Sequence, residues 1–393
     1  MLNPKTNKRE LAYIVSVSDT RELEGYDSVH HVHINGWWVV AKKEINTGDL
    51  CVYFEIDSLL PSDDDRFSFL KKKKFRIKTQ KMCGVVSQGL VLSLDTFPEL
   101  KKAKLGDFVT EKLKVKLYEQ QEDVVVKQHT NNVDGWTKAQ DRHPILKSSV
   151  VKFLMRFSLF RSILKKIFVK KKDKINWPNW LPRTNSERIQ NIPDIFNDKS
   201  KKWVISEKVD GMSTSAWVEN NVYYVGSHNV VVYSSNDSES KKIADGNKYI
   251  KTNVWIDMTS KYKLKDILML WKKKYNLNTV AIQGESYGRG VQKRDYSLDI
   301  GKQDFVVFHI WFNDVRLSMQ KMVALCEEYG LPHVHVYDWE YILPSSVDDL
   351  VCDVDSRKSA IDGGMIEGFV LYSQDGQQNI KCVSPNYLMK YHS

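Results

Sequence analysis

The chain has few cysteines and no long apolar run, and both shortages limit what it can be. Its five cysteines are odd in number and scattered, and none forms a Cys-x-x-Cys pair, so the sequence indicates neither a disulfide framework nor a zinc site. No apolar run approaches the roughly 18 residues that a membrane-spanning helix needs. The polar start, residues 1–10, has no signal-peptide core. We therefore expect no stable membrane span and an intracellular protein, cytoplasmic or nuclear, that is not secreted.

Length and composition favour a folded protein of several domains. The chain has 393 residues, of which 42% are hydrophobic, and it contains 11 tryptophans. A chain of this length can bury two or three separate cores.

Positive charge is concentrated in the middle of the chain. The net charge is +10, and residues 101–175 hold 19 Lys and Arg against 8 Asp and Glu, so the remainder is close to neutral. We expect a polyanionic partner for this segment, with nucleic acid favoured over an anionic membrane. A solvated linker rich in lysine is the alternative.

Short β-rich runs separated by turns fill the first part of the chain. The runs lie within residues 11–58 and 85–92, and Asn35-Gly36 between two of them predicts a hairpin. Residues 67–78, rich in lysine, are predicted to form a loop or a short helix. Five or so short strands in about 110 residues suit a small closed barrel. We assign residues 1–117 to this first domain.

The segment 118–182 combines a basic helix with a proline-containing end. Apolar residues in 147–168 recur at helical spacing, and Lys and Arg occupy the other face. Such a helix could lie on a membrane, but we expect it to pack on its own domain. Residues 177–182 (WPNWLP) end the segment, since proline cannot continue a helix.

From residue 183 to the end, strands alternate with a few helices, which predicts a second domain over 183–393. A helix is predicted over residues 320–329, ending at Gly330. The fold class is therefore α+β. The predicted strands are 202–206, 214–219, 222–227, 280–287, 305–312, 366–373 and 378–383.

One tetrapeptide in the second domain points to chemistry. Lys208 lies two residues before Asp210-Gly211 and follows a strand-like apolar run, which is how covalent nucleotidyltransferases present a nucleophile. Lysine has a free pKa of about 10.4, so on the order of one molecule in 10³–10⁴ is neutral at pH 7. A site that uses it must lower that pKa with nearby cations or by desolvation. The tetrapeptide alone could also be a strand that ends in a polar turn.

Further polar and aromatic residues follow at strand ends, and their order is more specific than any one of them. Glu285 stands between two glycines, Phe308 lies in an apolar strand, Glu367 begins a strand, and Lys381 lies on the next strand. The order is lysine, carboxylate, aromatic, carboxylate, lysine over roughly 170 residues.

In these stretches the chain resembles the covalent nucleotidyltransferase superfamily of ligases and capping enzymes. It most resembles the ATP-dependent RNA ligase branch, which has an N-terminal OB-type β-barrel and a C-terminal adenylyltransferase domain of antiparallel sheets with flanking helices. Residues 76–90 and 181–191 support this branch. The similar motifs are EKVDG at 207–211 (motif I), QGESYG at 283–288 (III), FVVFHI at 305–310 (IIIa), EGFVLY at 367–372 (IV) and IKCVSPNYL at 380–388 (V).

The resemblance implies a three-step reaction. Lys208 attacks the α-phosphate of ATP to give lysyl-AMP and pyrophosphate, and AMP then passes to an RNA 5′-phosphate. The RNA 3′-OH displaces AMP and seals the strand, as in RNA repair. Each step is a displacement at an anionic phosphorus, which needs positive charge nearby.

The resemblance also implies roles for individual residues. Asp210, Glu285 and Glu367 would hold Mg²⁺ (or Mn²⁺), directly or through water. Lys381 would lie by the α-phosphate and help to depress the pKa of Lys208. The implied nucleotide contacts are Phe308 stacked on adenine, Glu207 on its exocyclic amine, Arg188 on the ATP phosphates, and Asn229, Glu285 and Glu367 elsewhere on the nucleotide.

The chain departs from the family pattern at two positions. The family commonly has Ser-Arg-Asn between motifs I and III, whereas this chain has Ser227-His228-Asn229. A histidine cannot form a guanidinium fork and is mostly neutral at pH 7, so ligation is expected to be weaker, pH-sensitive or helped by another cation. Motif V often has two lysines, and here Asn379 occupies the earlier position.

Two other functions stay open at this point. One is another covalent nucleotidyltransferase, namely a DNA ligase or an mRNA capping guanylyltransferase, although these usually carry the OB domain after the catalytic one. The other is a nucleic-acid-binding protein that has lost turnover, for which His228 is the best argument. The expected partner is RNA with 3′-OH and 5′-phosphate ends, and the expected state is a monomer.

Overall fold

The chain was analysed as a computed structural model. It describes residues 1, 3, 6, 9–118, 136, 139–140, 143–168, 176–228, 230–236, 253–299 and 302–392. In those residues no helix combines the length and the apolar character that crossing a membrane requires.

Ten short strands form the N-terminal part of the fold. They pair as antiparallel sheets in the orders β1-β5-β9 and β2-β3-β4, with smaller pairs β6-β10 and β7-β8. The strands are β1 (Ala12–Ser16), β2 (Asp19–Glu22), β3 (Val29–Ile34), β4 (Trp37–Lys42), β5 (Leu50–Phe54), β6 (Ser58–Leu59), β7 (Thr79–Met82), β8 (Val85–Gln88), β9 (Leu90–Ser93) and β10 (Lys116–Leu117).

Local sequence explains the turns and the core of this part. Asn35 and Gly36 join β3 to β4 with φ values of 49° and 80°, the left-handed conformation that two-residue hairpins need, so the predicted hairpin is confirmed. A short helix at Asp65–Lys73 confirms the prediction for the lysine-rich stretch. Phe54 packs edge-on against Phe67, with ring centroids 5.5 Å apart, in one of two apolar clusters beneath the strands.

Residues 147–168, all of them described, form two α-helices where one continuous helical pattern was predicted. Helix α1 is Ser149–Leu154, helix α2 is Ser158–Phe168, and the chain turns between them. The expectation that their apolar face packs on its own domain is wrong for half of that face, because four of its eight apolar residues are exposed and the other four are half-buried. Leu154 and Leu164 are half-buried, whereas a second row of large apolar side chains is exposed.

The C-terminal part contains two sheets. One has the order β15-β14-β13-β16-β17-β18, and the other has the order β11-β21-β20-β12-β19, in which only β11 and β21 run parallel. The strands are β11 (Glu187–Arg188), β12 (Lys202–Lys208), β13 (Met212–Glu219), β14 (Val222–Gly226), β15 (Val231–Ser234), β16 (Thr279–Gly288), β17 (Gln303–Phe312), β18 (Val315–Arg316), β19 (Val336–Ile342), β20 (Gly368–Ser373) and β21 (Asn379–Val383).

Among the described residues, four helices pack on these sheets and a fifth, α7, follows the last strand. Helices α3, α4 and α5 pack on the six-stranded sheet, and α6 packs on β20 and β21. The helices are α3 (Val254–Lys261), α4 (Leu264–Lys274), α5 (Met319–Glu328), α6 (Val347–Ser356) and α7 (Pro385–Tyr391). The α+β class, each predicted strand and the predicted helix before Gly330 are confirmed, with bounds shifted by one or two residues. The domain boundaries at 117/118 and 182/183 stay predictions.

The N-terminal strands dock on the C-terminal part near its helices. The indole of Trp38 donates a hydrogen bond to Asp348 at 3.3 Å, and His33 lies 3.6 Å from the same carboxylate. At Gly36 an added Cβ would lie 2.8 Å from the Val347 side chain, so the hairpin tip meets the start of α6 closely. Helix α7 packs on β7 and β8. These contacts hold the two parts in one arrangement.

A buried arginine ties together two loops of the C-terminal part. Arg294, in the loop after β16, has a side chain 2% exposed and donates to Asp362 at 2.6 Å and to the carbonyl of Met365. Met365 lies two residues before Glu367, so Arg294 helps to fix the position of that carboxylate, which directly precedes β20. Its guanidinium also stacks on Tyr296, 4.1 Å from the ring centroid.

Removal of this arginine is expected to be costly. Arg294→Ala leaves the Asp362 carboxylate and the Met365 carbonyl without their partner in a buried site, and it should lower the free energy of unfolding by about 3 kcal/mol. Lys302→Ala is the matched control, because it breaks an ion pair with Asp299 whose side chains are 69% and 74% exposed. The control should lose about 0–1 kcal/mol. Equal losses in urea denaturation would contradict this reading of Arg294.

Candidate active site

The end of β12 carries the candidate nucleophile. Strand β12 pairs with β20 so that Lys208 lies opposite Gly368, which places Lys208 beside Glu367. The Lys208 ammonium donates to the Glu367 carboxylate at 2.7 Å. A Cβ at Gly368 would lie 2.0 Å from the carbonyl oxygen of Cys382, so only glycine permits β20 to approach β21 this closely.

A second carboxylate approaches from the other sheet. Glu285 lies in β16, where its backbone pairs with Ser213 of β13. The turn after Lys208 presses against this strand, because a Cβ at Gly211 would lie 2.3 Å from the carbonyl oxygen of Ser286. The two sheets therefore bring Lys208, Glu285 and Glu367 together.

Lys208 and Glu285 border a cavity of roughly 200 Å³, whereas Glu367 and Asp210 are not among its lining residues. Five predicted site residues line it, and they lie on four strands of the two sheets. The lining residues are Thr184, Ser186, Glu207, Lys208, Val209, Ser213, His228, Glu285, Phe308, His309, Val334, Val370, Tyr372 and Lys381.

The neighbouring carboxylates determine the direction in which the pKa of Lys208 is shifted. Burial lowers the pKa of its ammonium, but Glu367 and Glu285 more than offset this, and the pKa is raised above its ordinary value. The expectation that Lys381 depresses the pKa of Lys208 is therefore not met in this arrangement. At pH 7 the Lys208 cation is held by Glu367, its hydrogen-bond partner, whereas Glu285, with a pKa of about 8, is mostly protonated and adds its negative charge at higher pH.

Lys381 carries the opposite shift. It lies on β21, opposite both Val370 and Arg188. Burial, together with repulsion from Arg188 and Lys208, lowers the pKa of Lys381 to about 7. Of the two lysines, Lys381 is the one whose surroundings favour the neutral form.

Glu285 and Glu367 have too little positive charge nearby to offset the cost of burying their ionised forms. Burial raises the pKa of Glu285 to about 8, and Glu367 and Asp210 add to this effect while Lys208 opposes it. The pKa of Glu367 is also raised, by burial first and then by Asp210, against the pull of Lys208. Oxygen ligands with uncompensated negative charge suit a hard cation.

The donor set available to such a cation is small. Within the described residues no group of three or more His, Cys, Asp and Glu is arranged to hold a metal ion. Mg²⁺ usually takes one or two carboxylates and keeps waters or phosphate oxygens as its other ligands. Glu285 and Glu367 fit that pattern.

Asp210 is held by a network that the sequence did not reveal. Its Oδ2 accepts from Tyr387 at 2.9 Å and lies 2.8 Å from His392 Nε2, and its backbone N–H donates to Tyr296. The His392 bond and burial act in opposite directions on the pKa of Asp210, which is lowered overall. Tyr387 lies within motif V and could have been suspected from it. Nothing in the sequence pattern points to His392.

Two predicted nucleotide contacts lie at the cavity with different surroundings. Glu207 already accepts from Ser359 at 2.5 Å and from the backbone of Ala360 at 2.9 Å, with Tyr337 at 3.2 Å. Phe308 is half-buried, and its ring lines the cavity. The adenine roles of Glu207 and Phe308 stay predictions.

Arg188 and Asn229 are not among the residues that line the cavity. Arg188 pairs with Lys381 along β11 and β21, and its guanidinium lies 5.9 Å from the Trp37 ring of the N-terminal part. Its Nη1 has no hydrogen-bond partner among the described atoms. Asn229 lies outside the described residues. Asn379, at the earlier position of motif V, accepts from Arg316 at 2.8 Å.

His228, the residue at which the chain departs from the expected Ser-Arg-Asn pattern, lines the cavity. Its Nδ1 is 2.9 Å from the Thr184 hydroxyl. Burial, Arg183 and Lys381 lower the pKa of His228, so the imidazole is neutral at pH 7. The guanidinium of Arg183 reaches the His228 carbonyl at 3.5 Å and stacks on Trp177.

Comparison with protein families separates the chain into two matched regions. A family model described as RNA ligase matches residues 201–392, and one described as an OB-fold domain matches residues 11–94. The OB-type prediction for the first domain is thus confirmed. No curated protein sequence matches the chain.

Solved structures share the whole fold. A Naegleria gruberi RNA ligase with pyrophosphate has a TM-score of 0.68 at 24% identity, over 97% of this chain and 98% of that chain. A mutant of that ligase with AMP and manganese has a TM-score of 0.70 at 24% identity, over 98% and 99%. A mutant with ATP and manganese has a TM-score of 0.69 at 24% identity, over 97% and 99%. At this identity the likeness demonstrates a common two-part fold.

Because the pKa of Glu285 is raised, replacing this residue is expected to increase the free energy of unfolding by an amount that depends on pH. Between about pH 4.5 and pH 8 the folded protein keeps a proton on Glu285 that the unfolded chain releases, so stability falls as pH rises through this window. Glu285→Gln cannot titrate. In buffer containing EDTA, its stability relative to the wild type should rise by on the order of 2 kcal/mol from pH 5 to pH 8.

Glu340→Gln is the control for this measurement. Its side chain is 70% exposed in a surface pair with Lys202, and the substitution should give a difference that does not change with pH. A pH-independent difference for Glu285→Gln as well would contradict the account of the anionic site.

Proposed function

We propose that the chain is an ATP-dependent RNA ligase that joins RNA 3′-OH and 5′-phosphate ends through AMP held on Lys208, which the match of the RNA ligase family model to residues 201–392 supports. One observation carries the proposal. Lys208 lies at the edge of a cavity shared with Glu207, Glu285, Phe308 and Lys381, and it is 2.7 Å from Glu367. The proximity of two lysines, three carboxylates and an aromatic ring supports these roles.

Lys208 must become neutral before it can attack phosphorus. Its ammonium is stabilised by Glu367 and Glu285. The same two carboxylates would hold a divalent cation. A bound Mg²⁺ or Mn²⁺ would offset their negative charge and that of the triphosphate. Glu367 accepts a hydrogen bond from the Lys208 Nζ, and it is therefore placed to receive the proton that the nucleophile must lose.

In the first step the Lys208 nitrogen forms a bond to the α-phosphorus of ATP. The bond from that phosphorus to the bridging oxygen breaks, and pyrophosphate leaves with the electron pair. Lys381 faces the same cavity and supplies positive charge to the α-phosphate oxygens when it is protonated. Phe308 covers the base, and Glu207 reads its exocyclic amine with its remaining acceptor capacity.

The two later steps follow the same chemistry. An RNA 5′-phosphate oxygen attacks the lysyl-AMP phosphorus and regenerates Lys208, and an RNA 3′-hydroxyl then displaces AMP from the adenylated end. The OB-fold domain, docked through Trp38 and His33, supplies a surface of the type that often binds single strands. The enzyme acts as a monomer on RNA.

Asp210 has a separate part in this proposal. Its Oδ2 is engaged by Tyr387 and His392, so it orients the turn after Lys208 more directly than it binds metal. Any contact of Asp210 with the metal is expected to pass through water.

Self-adenylation tests the nucleophile directly. Incubation with α-³²P-ATP and Mg²⁺ should give an acid-labile protein–AMP adduct, and EDTA should abolish it. Lys208→Arg keeps the positive charge and the ion pair with Glu367 but should reduce the adduct by at least about 10³-fold, because arginine stays protonated. Lys202→Arg, an exposed lysine at the other end of β12, is the matched control and should react like the wild type. A labelled adduct that persists in Lys208→Arg refutes the proposal.

A second experiment concerns the missing arginine at position 228. Since His228 is neutral, we propose that Arg183 supplies the cation for this side of the cavity. Arg183→Gln should slow the sealing of pre-adenylated RNA by about tenfold, and adding His228→Arg should restore most of the rate. Lys321→Gln, at an exposed position on α5, is the control. No loss in Arg183→Gln, or no recovery in the double variant, would contradict this role.

A further inference from the structure

The segment from residue 143 to residue 168, here called the amphipathic segment, exposes more large apolar side chains than any other part of the described fold. It contains seven of the seventeen exposed large hydrophobic residues found among the described residues. Isolated exposed apolar residues are ordinary on protein surfaces, but a contiguous set of them marks an interaction site. The seven are Ile145, Val150, Phe153, Phe157, Phe160, Ile163 and Ile167.

These side chains form a row and are not scattered. From Val150 onward each follows the last by three or four residues, which is the repeat of one helical face. On α2, Phe160, Ile163 and Ile167 fall within an arc of about 60°. Ser158 and Ser162 lie on the opposite side of the same helix. No strand packs extensively on α1 or α2 among the elements that the structure describes.

Hydrogen bonds and a ring contact fix the two helices relative to each other, so the row of exposed side chains forms one continuous surface. The Arg161 side chain, on α2, donates to the carbonyls of Met155 at 2.9 Å and Arg156 at 3.5 Å, which follow the end of α1. Phe153 and Phe157 contact each other across the turn, with ring centroids 5.5 Å apart. The row therefore continues from one helix to the next.

The charge beside the row has a single sign. The amphipathic segment contains six Lys and Arg and no Asp or Glu. Lys152, Arg156, Arg161 and Lys166 are all exposed. On α2, Arg161 and Lys166 lie on the two flanks of the apolar arc, between it and the serines.

We propose that the amphipathic segment is a docking surface for an anionic lipid membrane, which it meets with the helices parallel to the membrane plane. A basic helix with a separate apolar face binds at the boundary between lipid headgroups and acyl chains. The apolar row enters that boundary, and the flanking cations contact acidic headgroups. Neither helix approaches the length of a membrane span, so the contact is peripheral.

An RNA partner would account for fewer of these observations than a lipid surface does. Cations alone would serve RNA phosphates, and aromatic rings could stack on bases. Ile145, Val150, Ile163 and Ile167, however, have no aromatic face, and on a polar, charged nucleic acid they would stay in contact with water. A lipid surface covers aliphatic and aromatic residues alike.

Vesicle flotation with the full chain tests the proposal. Wild-type protein should float with vesicles of phosphatidylcholine and phosphatidylserine in a 7:3 ratio, and much less with phosphatidylcholine alone. Phe153→Ser, Phe157→Ser and Phe160→Ser combined keep every charge and should weaken binding to the anionic vesicles by about tenfold or more. These side chains are 55%, 51% and 46% exposed, so the variant should unfold at the wild-type temperature.

A matched triple variant controls for the loss of exposed apolar area elsewhere. Phe69→Ser, Leu105→Ser and Leu270→Ser remove three side chains that are 58%, 63% and 50% exposed at separate places, and flotation should be unchanged. The affinity of the Phe153, Phe157 and Phe160 variant for a nicked RNA duplex should stay within about twofold of the wild type.

Three results would overturn the proposal. Wild-type protein that fails to float with anionic vesicles excludes a lipid surface. A variant that floats normally but binds RNA about tenfold more weakly assigns the surface to RNA. A wild-type dimer that the variant converts to a monomer in light scattering, without vesicle binding, assigns it to a second copy of this chain. RNA sealing does not enter the test, so its outcome is independent of the proposed reaction.

Discussion

The architecture of the site depends on the ion pair between Lys208 and Glu367, which joins the end of one strand to the start of its neighbour. Strands β12 and β20 pair in a register that leaves Lys208 opposite Gly368, and the absence of a side chain at Gly368 allows β20 and β21 to close up. Arg294 fixes the loop that leads into Glu367. Because the carboxylates outweigh burial, the resting lysine is a cation, and the reaction has to begin with their charge being offset.

Much of the fold could be predicted from local signals. Asn35-Gly36 specified a hairpin because both residues accept positive φ, and the apolar strands of the second domain were long enough to show. The pattern in 147–168 predicted helix correctly, but it could not show that the apolar row is exposed. Periodicity identifies a helical face, whereas what covers that face depends on elements far away in the sequence.

Some features of the site could be predicted from the sequence, and others could not. The order of Lys208, Glu285, Phe308, Glu367 and Lys381 was readable because each lies at or near a strand end within a short motif. The anchoring of Asp210 by His392 was not, since it depends on where the last helix packs on the N-terminal strands. The direction of the Lys208 pKa shift also depends on distances in space. The prediction that Lys381 lowers this pKa was wrong because Glu367 and Glu285 raise it more strongly.

The central claim is that the carboxylates keep Lys208 protonated until positive charge reaches them, and the pKa of this one side chain measures it. NMR of protein labelled with ¹³C at lysine Cε, with the signal assigned through Lys208→Arg, can follow its titration with and without Mg²⁺ and a non-hydrolysable ATP analogue. The account predicts a pKa above the ordinary 10.5 for the protein alone and a fall below that value when both ligands are present. A pKa already depressed in the protein alone, or one that does not change on binding, would contradict it.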